Sequence, residues 1–183
     1  MNIKELRIPG CYQIIPKIFS DERGAFIKTF HSETFQGHGL DLELKEEFYS
    51  ISKKNVLRGL HFQSPPYAHN KLVYCPKGAV LDFLLDVRAG SPTYGEHLSI
   101  ELNEQNGIIL YLPIGIAHGF LSLEDDSLMV YKTDCSYDPE ADGGVSFSSS
   151  GIKLPIDISN TIISERDKNL IAFGKYQSEF IYG

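Results

Sequence analysis

The sequence predicts a mainly β protein of the sandwich or barrel class. Its apolar and aromatic runs are short and bounded by Gly, Pro, Asp or Asn. The turn signals recur roughly every ten residues, the spacing of antiparallel sandwiches and barrels. Helical cues are confined to one early stretch and one late turn.

Along the chain, Ile14-Ile15 and Ile18-Phe19 read as short strands before the polar turn Ser20-Asp21-Glu22-Arg23-Gly24. A strand resumes over Ala25–Phe30. Residues 31–44 form the early helix candidate, with a cap at Ser32-Glu33-Thr34-Phe35 and stops at Gly37 and Gly39. Glu47–Ser52 alternates as a strand does. Lys71–Cys75 is a short run closed by Pro76-Lys77-Gly78, and Ala79–Val87 is the most apolar strand. A turn-rich loop over Arg88–Gly95 leads to strands at Leu98–Leu102, Ile108–Leu112, Gly119–Leu123 and Leu128–Thr133. Beyond these lie an aspartate- and glycine-rich loop at 138–144, a serine run at 146–150 and a helical turn at Ser164–Leu170. With no linker, repeat or low-complexity tract, residues 1–183 read as one domain.

Composition removes several function classes. A net charge of −7 argues against a general nucleic-acid binder and leaves only local Arg and Lys to grip a small anion. Cys11, Cys75 and Cys135 are odd in number and far apart, forming neither a disulfide framework nor a CxxC pair, which favours a reducing compartment. The start, Met1–Leu6, carries charges where a signal peptide needs an apolar run, and no run approaches a membrane span. A cytoplasmic location is expected, without membrane association.

Chemistry concentrates in Val56-Leu57-Arg58-Gly59-Leu60-His61-Phe62-Gln63 and Lys71. Strict alternation places Arg58, Leu60 and Phe62 on one face, and Leu57, Gly59, His61 and Gln63 on the other. A second motif, Pro113-Ile114-Gly115-Ile116-Ala117-His118, lies between strands. Pro-x-Gly-x-x-His in that setting resembles the second signature of the cupin superfamily, which implies a double-sheet β jelly roll with a few short helices. In metal-binding cupins this histidine is a ligand, alongside a His-x-His and a glutamate. Here His61-Phe62-Gln63 stands in place of His-x-His. Lys71, seven residues before Gly78, stands in place of the glutamate. A protonated lysine has no lone pair for a cation and repels one. Only His61 and His118 remain as ligands, too few for a tight site, so no metal is expected. Lys71 supplies fixed positive charge to the cavity instead.

A larger set of residues resembles one cupin-fold family, the dTDP-4-dehydrorhamnose 3,5-epimerases and related nucleotide-sugar epimerases. The match runs through Phe19–Gly24, Leu57–Gln63, Lys71-Leu72-Val73, Asp82, Asp86-Val87-Arg88 and Ser91–Gly95. It continues through Pro113 to Phe120, Tyr131-Lys132, Tyr137-x-Pro139 and Ser164-Glu165-Arg166-Asp167. Each piece is weak alone; their order and spacing together are specific. The resemblance implies an isomerase that inverts C3, C5 or both in a nucleotide-diphosphate-linked 4-keto sugar. The C4 ketone acidifies both positions, so proton loss gives an enolate and reprotonation from the other face inverts the centre. Neither cofactor nor metal is called for.

The resemblance also implies roles. His61 is the base, since imidazole titrates near neutral pH. Asp167 orients it, although Ser164-x-x-Asp167 also reads as a capping box. Tyr131 is the opposite-face acid, and Lys71 and His118 line the ketone oxygen. Arg58 and Arg23 are candidates for the diphosphate, with Arg23 reaching a neighbouring subunit in a homodimer. Tyr137 stacks on the base, and Gln63 and Glu46 complete the binding set. The family's Gln-Asp/Glu-Asn-x-Ser stretch reads Glu46-Glu47-Phe48-Tyr49-Ser50 here, and its C-terminal tryptophans are absent. The chemistry is therefore expected to be kept while the substrate, dTDP- or GDP-linked, stays open. So does the product within cell-surface polysaccharide synthesis, such as capsule or lipopolysaccharide. Three other readings fit the same fold: a 3,4-ketoisomerase, a metal-dependent dioxygenase and a non-catalytic sugar-binding cupin.

Overall fold

The computed structural model describes residues 1–40 and 42–183. The strands are β1 (Asn2–Glu5), β2 (Tyr12–Ile15), β3 (Ile18–Asp21), β4 (Gly24–Ile27), β5 (Glu46–Ser52), β6 (Leu57–Gln63), β7 (Lys71–Lys77) and β8 (Ala79–Asp86). They continue as β9 (His97–Asn103), β10 (Ile109–Leu112), β11 (Ile116–Ser122), β12 (Ser127–Thr133) and β13 (Asp142–Gly144). Two short helices are α1 (Ser32–Gln36) and α2 (Glu165–Lys168).

Two antiparallel sheets face each other. One has the order β1-β2-β10-β7-β12-β5 and the other β13-β6-β11-β8-β9, while β3 and β4 form a separate hairpin. The space between the sheets is the core. Val73, Cys75, Leu110 and Met129 from the first sheet meet Val80, Leu84, Leu102 and Phe120 from the second. The outer face of the second sheet is covered by the C-terminal segment, where Phe147, Ile152 and Phe180 pack on Leu57, Leu60, Phe83 and Leu85. Phe35, Leu40 and Leu42 cover Leu72 and Ile109 on the outside of the first sheet. Where both faces are covered, as in β8, β10 and β11, the strands are buried at nearly every position instead of alternating. The result is a jelly roll of the cupin type.

Several local expectations are corrected. The helix expected over 31–44 is only one turn, Ser32–Gln36; its N-cap is His31, without a side-chain cap bond. Position 41 lies outside the described residues. A single turn has no cooperative length, so packing of Phe35 holds it. The strand expected over Ala25–Phe30 ends at Ile27. The run from Lys71 does not close at Pro76 but continues to Lys77. Pairing with β10 stops at Tyr74, so Pro76 owes no ladder donor there. His118 lies inside β11 rather than in the connection before it. The loop at 138–144 ends as β13, paired along β6.

The Arg88–Gly95 loop is anchored on one carboxylate. Asp86 Oδ1 accepts Arg88 Nε at 2.9 Å, and Oδ2 accepts Arg88 Nη2 at 2.8 Å, Ser91 Oγ at 2.6 Å and Thr93 Oγ1 at 2.7 Å. Asp86 and Arg88 are both buried. Asp86→Ala would strand a buried guanidinium. It should cost about 3–5 kcal/mol and lower Tm by roughly 10 °C in a thermal melt.

Candidate active site

One end of the inter-sheet space stays open as a cleft of about 270 Å³. Its floor and walls come from both sheets. β6 and β11 contribute Arg58, His61 and His118; β7, β12 and β5 contribute Lys71, Tyr131, Glu46, Phe48 and Ser50.

Arg58 and His61 share this cleft because β6 does not alternate cleanly. His118 pairs with His61 and Phe120 with Arg58, so β6 spends three steps where β11 spends two. The extra residue is a β-bulge. It flips the parity, bringing Leu57 into line with Leu60 on the outer face and Arg58 into line with His61 on the inner one. The bulge sits at Gly59, with φ +111°. A Cβ there would lie 2.5 Å from Gly119 Cα and 2.7 Å from His118 O. Strict alternation, which separates Arg58 from His61, breaks at this bulge.

His61 Nε2 lies 2.7 Å from Asp167 Oδ1, while Asp167 Oδ2 accepts the Gly59 N–H at 3.1 Å. Asp167 is buried beside the cleft, in an adjoining recess that it shares with Arg58, His61 and Arg166. Burial works against its ionisation, but the His61 hydrogen bond, the His61 charge, the Gly59 N–H and Arg166 outweigh it. The carboxyl is held below its usual range. Ser164 also caps α2 through Asp167 N, so the capping-box reading and the His61 contact coexist. With Nε2 engaged, Nδ1 is the ring nitrogen left for the cleft, and the side chain is 26% exposed.

Tyr131 stands on the opposite sheet from His61. Its ring stacks on Phe48, with centroids 4.8 Å apart and planes 14° apart. Its hydroxyl has Ser50 Oγ at 3.4 Å. Burial pushes the phenol well above its usual pKa, and the nearby Asp82 adds to this. Lys71 Nζ donates to His61 O at 3.3 Å. Burial brings the Lys71 ammonium down to about 8, with Arg166 lowering it and Asp142 and Asp82 pulling it back up.

The expected binding residues are tied into the protein by hydrogen bonds. Gln63 Nε2 donates to Tyr67 O at 2.9 Å and to Ser136 O at 3.2 Å, and Oε1 accepts Asp138 N at 2.7 Å. Its amide braces two loops. Glu46 Oε2 accepts Tyr137 N at 2.6 Å, and Tyr137 Oη donates to Asp142 Oδ2 at 3.1 Å. Glu46 thus fixes the loop that presents the exposed Tyr137 ring at the cleft mouth. Arg58 Nε donates to Ser52 Oγ at 3.1 Å. Arg23 is not brought into the cleft of its own chain; it sits exposed on the β3–β4 hairpin, its Nε donating to Asp21 Oδ1 at 3.1 Å.

The sequence alone marks no role for Arg166, Asp142, His69 or Asp82. The first three line the cleft, with Arg166 Nη2 2.7 Å from Asp142 Oδ1. Burial, then Lys71, lowers the His69 imidazole to about 4. Asp82 is fully buried with His118 Nε2 2.7 Å from its Oδ2. An aspartate inside the most apolar strand was the available signal, because a buried carboxyl requires a partner. Among the described residues, no group of three His, Cys, Asp or Glu is placed to hold a metal ion.

A cupin-type jelly roll with an imidazole–carboxylate pair on one sheet facing a tyrosine and a lysine on the other defines a protein built for proton transfer. Comparison with known proteins narrows this: residues 5–175 match the dTDP-4-dehydrorhamnose 3,5-epimerase family, and the chain belongs to it. The dTDP-4-dehydrorhamnose 3,5-epimerase of Shigella flexneri is 38% identical over 170 residues, covering 92% of this chain and 94% of that one. The crystal structure of dTDP-6-deoxy-D-glucose-3,5-epimerase from Legionella pneumophila, in complex with dTDP-4-keto-L-rhamnose, superposes with a TM-score of 0.94 at 31% identity. It covers all of this chain and 98% of its own. The 3′-monoepimerase ChmJ of Streptomyces bikiniensis, in complex with dTDP-quinovose, gives a TM-score of 0.88 at 34% identity over 92% of this chain and 86% of its own.

Proposed function

We propose that residues 1–183 act as one domain that epimerises a nucleotide-diphosphate-linked 4-keto sugar at C3, C5 or both. The observation that carries this reading is the placement of His61 and Tyr131 on opposite sheets across one cleft. A sugar ring held between them has a base on one face and an acid on the other.

His61 Nδ1 takes the proton from C3 or C5, and the electron pair left behind forms the enolate with charge on O4. Lys71 and His118 stabilise that charge. Tyr131 Oη then protonates the same carbon from the opposite face, and the enolate returns to the ketone. His61 is left as imidazolium and Tyr131 as phenolate; both reset by exchange with solvent. The low-lying Asp167 carboxylate stabilises the imidazolium. No step needs a metal or redox cofactor.

Arg58 takes the diphosphate, and Tyr137 takes the nucleotide base. Arg23, Phe19 and Phe26 project from the hairpin with exposed side chains. This suits a homodimer in which the hairpin serves the partner's cleft. The relatives are named for dTDP-linked sugars, so dTDP substrates come first and GDP-linked ones second. The setting is cytoplasmic synthesis of cell-surface polysaccharide precursors for capsule or lipopolysaccharide; among the described residues, no helix is long and apolar enough to cross a membrane.

The test is incubation with dTDP- and GDP-linked 4-keto sugars in D2O. Deuterium should enter C3 or C5 with inversion; absence of exchange with every substrate overturns the reading. Tyr131→Phe should keep exchange while slowing inversion about 10²-fold. The Lys71 ammonium, brought down to about 8 from 10.5, loses its charge at lower pH than a free lysine. The rate should therefore fall as pH rises through about 8. Lys71→Met should remove that limb and lower kcat by about 10²-fold.

A further inference from the structure

His118 and Asp82 form a second imidazole–carboxyl pair beside the first. His118 is the register partner of His61, and its Nε2 lies 2.7 Å from Asp82 Oδ2. The two pairs differ in how the carboxyl is satisfied. Asp167 has a donor on each oxygen, His61 on one and the Gly59 N–H on the other. Asp82 has none on Oδ1, which is buried without a hydrogen-bond partner. On its strand, Val80 and Leu84 share its face. The titratable groups around it are His118 from β11, Lys71 and Cys75 from β7, and Tyr131 from β12. Of these, His118 alone hydrogen-bonds to it. An ionised carboxylate here would leave a charged oxygen buried and unmatched, which costs far more than leaving a neutral carbonyl oxygen so. Burial raises the Asp82 carboxyl above its usual range, and His118 and Lys71 offset this only in part.

We propose that Asp82 is the protonated member of this pair: its Oδ2–H donates to His118 Nε2 and holds His118 as the tautomer that presents Nδ1–H to the cleft. Asp82 is then a positioning residue acting through His118, and this step rests on the assignment of His118 to the ketone oxygen. Were Asp82 ionised beside a neutral imidazole, His118 would spend its one proton on the carboxylate and turn a lone pair towards O4. With Asp82 protonated, O4 meets an N–H donor whose hydrogen bond strengthens as the enolate charge develops. No proton leaves the pair during turnover. The cleft thus holds two His–Asp pairs pushed in opposite directions, one to take up a proton and one to keep it.

Substrate-free protein tests this without reference to turnover. At pH 7 the infrared spectrum in D2O should contain a carboxylic-acid C=O band that disappears in Asp82→Asn. The 15N spectrum should show one histidine, lost in His118→Gln, protonated at Nδ1 and bare at Nε2. Asp82→Asn keeps a donor towards Nε2, so it should preserve the tautomer and most of kcat. Asp82→Ala should lose the tautomer and about 10²-fold in kcat. Absence of the carboxylic-acid band, or a His118 protonated at Nε2, overturns the proposal; the wild-type 15N pattern decides it even if the Asp82 variants fail to fold. An active enzyme with ionised Asp82 would sink this proposal and leave the epimerase reading standing. Failure of that reading would appear only in the exchange assay.

Discussion

His61→Asn should abolish deuterium entry at both C3 and C5, a loss of at least about 10³-fold. His61 has one nitrogen on Asp167 and the other free towards the cleft. The second cleft imidazole, His118, already has its Nε2 on Asp82. The third, His69, is lowered to about 4 by burial and Lys71, and so makes a poor base. Asparagine ends at the level of the ring's Nδ1, short of Nε2, so Asp167 Oδ1 loses its His61 partner while Oδ2 keeps the Gly59 N–H; the variant should still fold, with a lowered Tm. Exchange should therefore vanish without loss of the protein. Persisting exchange at either centre would move the base to another group, and loss at only one centre would mean two bases. If one imidazole serves both positions, as proposed, the two rates should fall together.

Gly59→Ala should be severely destabilising, at about 5 kcal/mol or more. The new Cβ would meet backbone atoms at 2.5 and 2.7 Å, and backbone cannot rotate away as a side chain does. The φ of +111° is also one that L side chains rarely adopt. Gly119 opposite is bound the same way, since its Cβ would lie 2.4 Å from Arg58 O. The two strands touch where both lack a side chain. Folded stability totals only about 5–15 kcal/mol, so little folded protein should remain. Any that does should be inactive, because losing the bulge sends Arg58 and His61 to opposite faces. Gly174→Ala is the control: nothing lies within 4 Å and its φ is ordinary. A Tm for Gly59→Ala within a few degrees of that control would refute the close-approach argument.

Local chemistry made much of this legible in the chain. Short apolar runs between turn residues announced the β architecture, because strands need few residues and turns need Gly, Pro and Asp. The Pro113–His118 motif and the Arg58–Lys71 stretch located the cleft, and Lys71 stood out as a cation where a metal ligand would be. The helix at 31–44 was overread, since cap residues mark where a helix can start and packing decides how far it runs. The parts played by Gln63 and Glu46 were not readable at all. Their partners, Tyr67, Ser136, Asp138 and Tyr137, are backbone groups of loops brought close only by the fold.

By itself, the sequence determined the fold class and the residue types available for proton transfer. Only the tertiary structure decided which of those residues face one another. Parity along β6 depends on its register with β11, whose pairing residues lie far away in the chain. Asp167 is 106 positions from His61, and Asp82 is 36 from His118. A carboxyl group's partners, and through them its proton, are set by what packing brings to it. The Arg58–Lys71 stretch names the chemistry, and the bulge at Gly59 aims it.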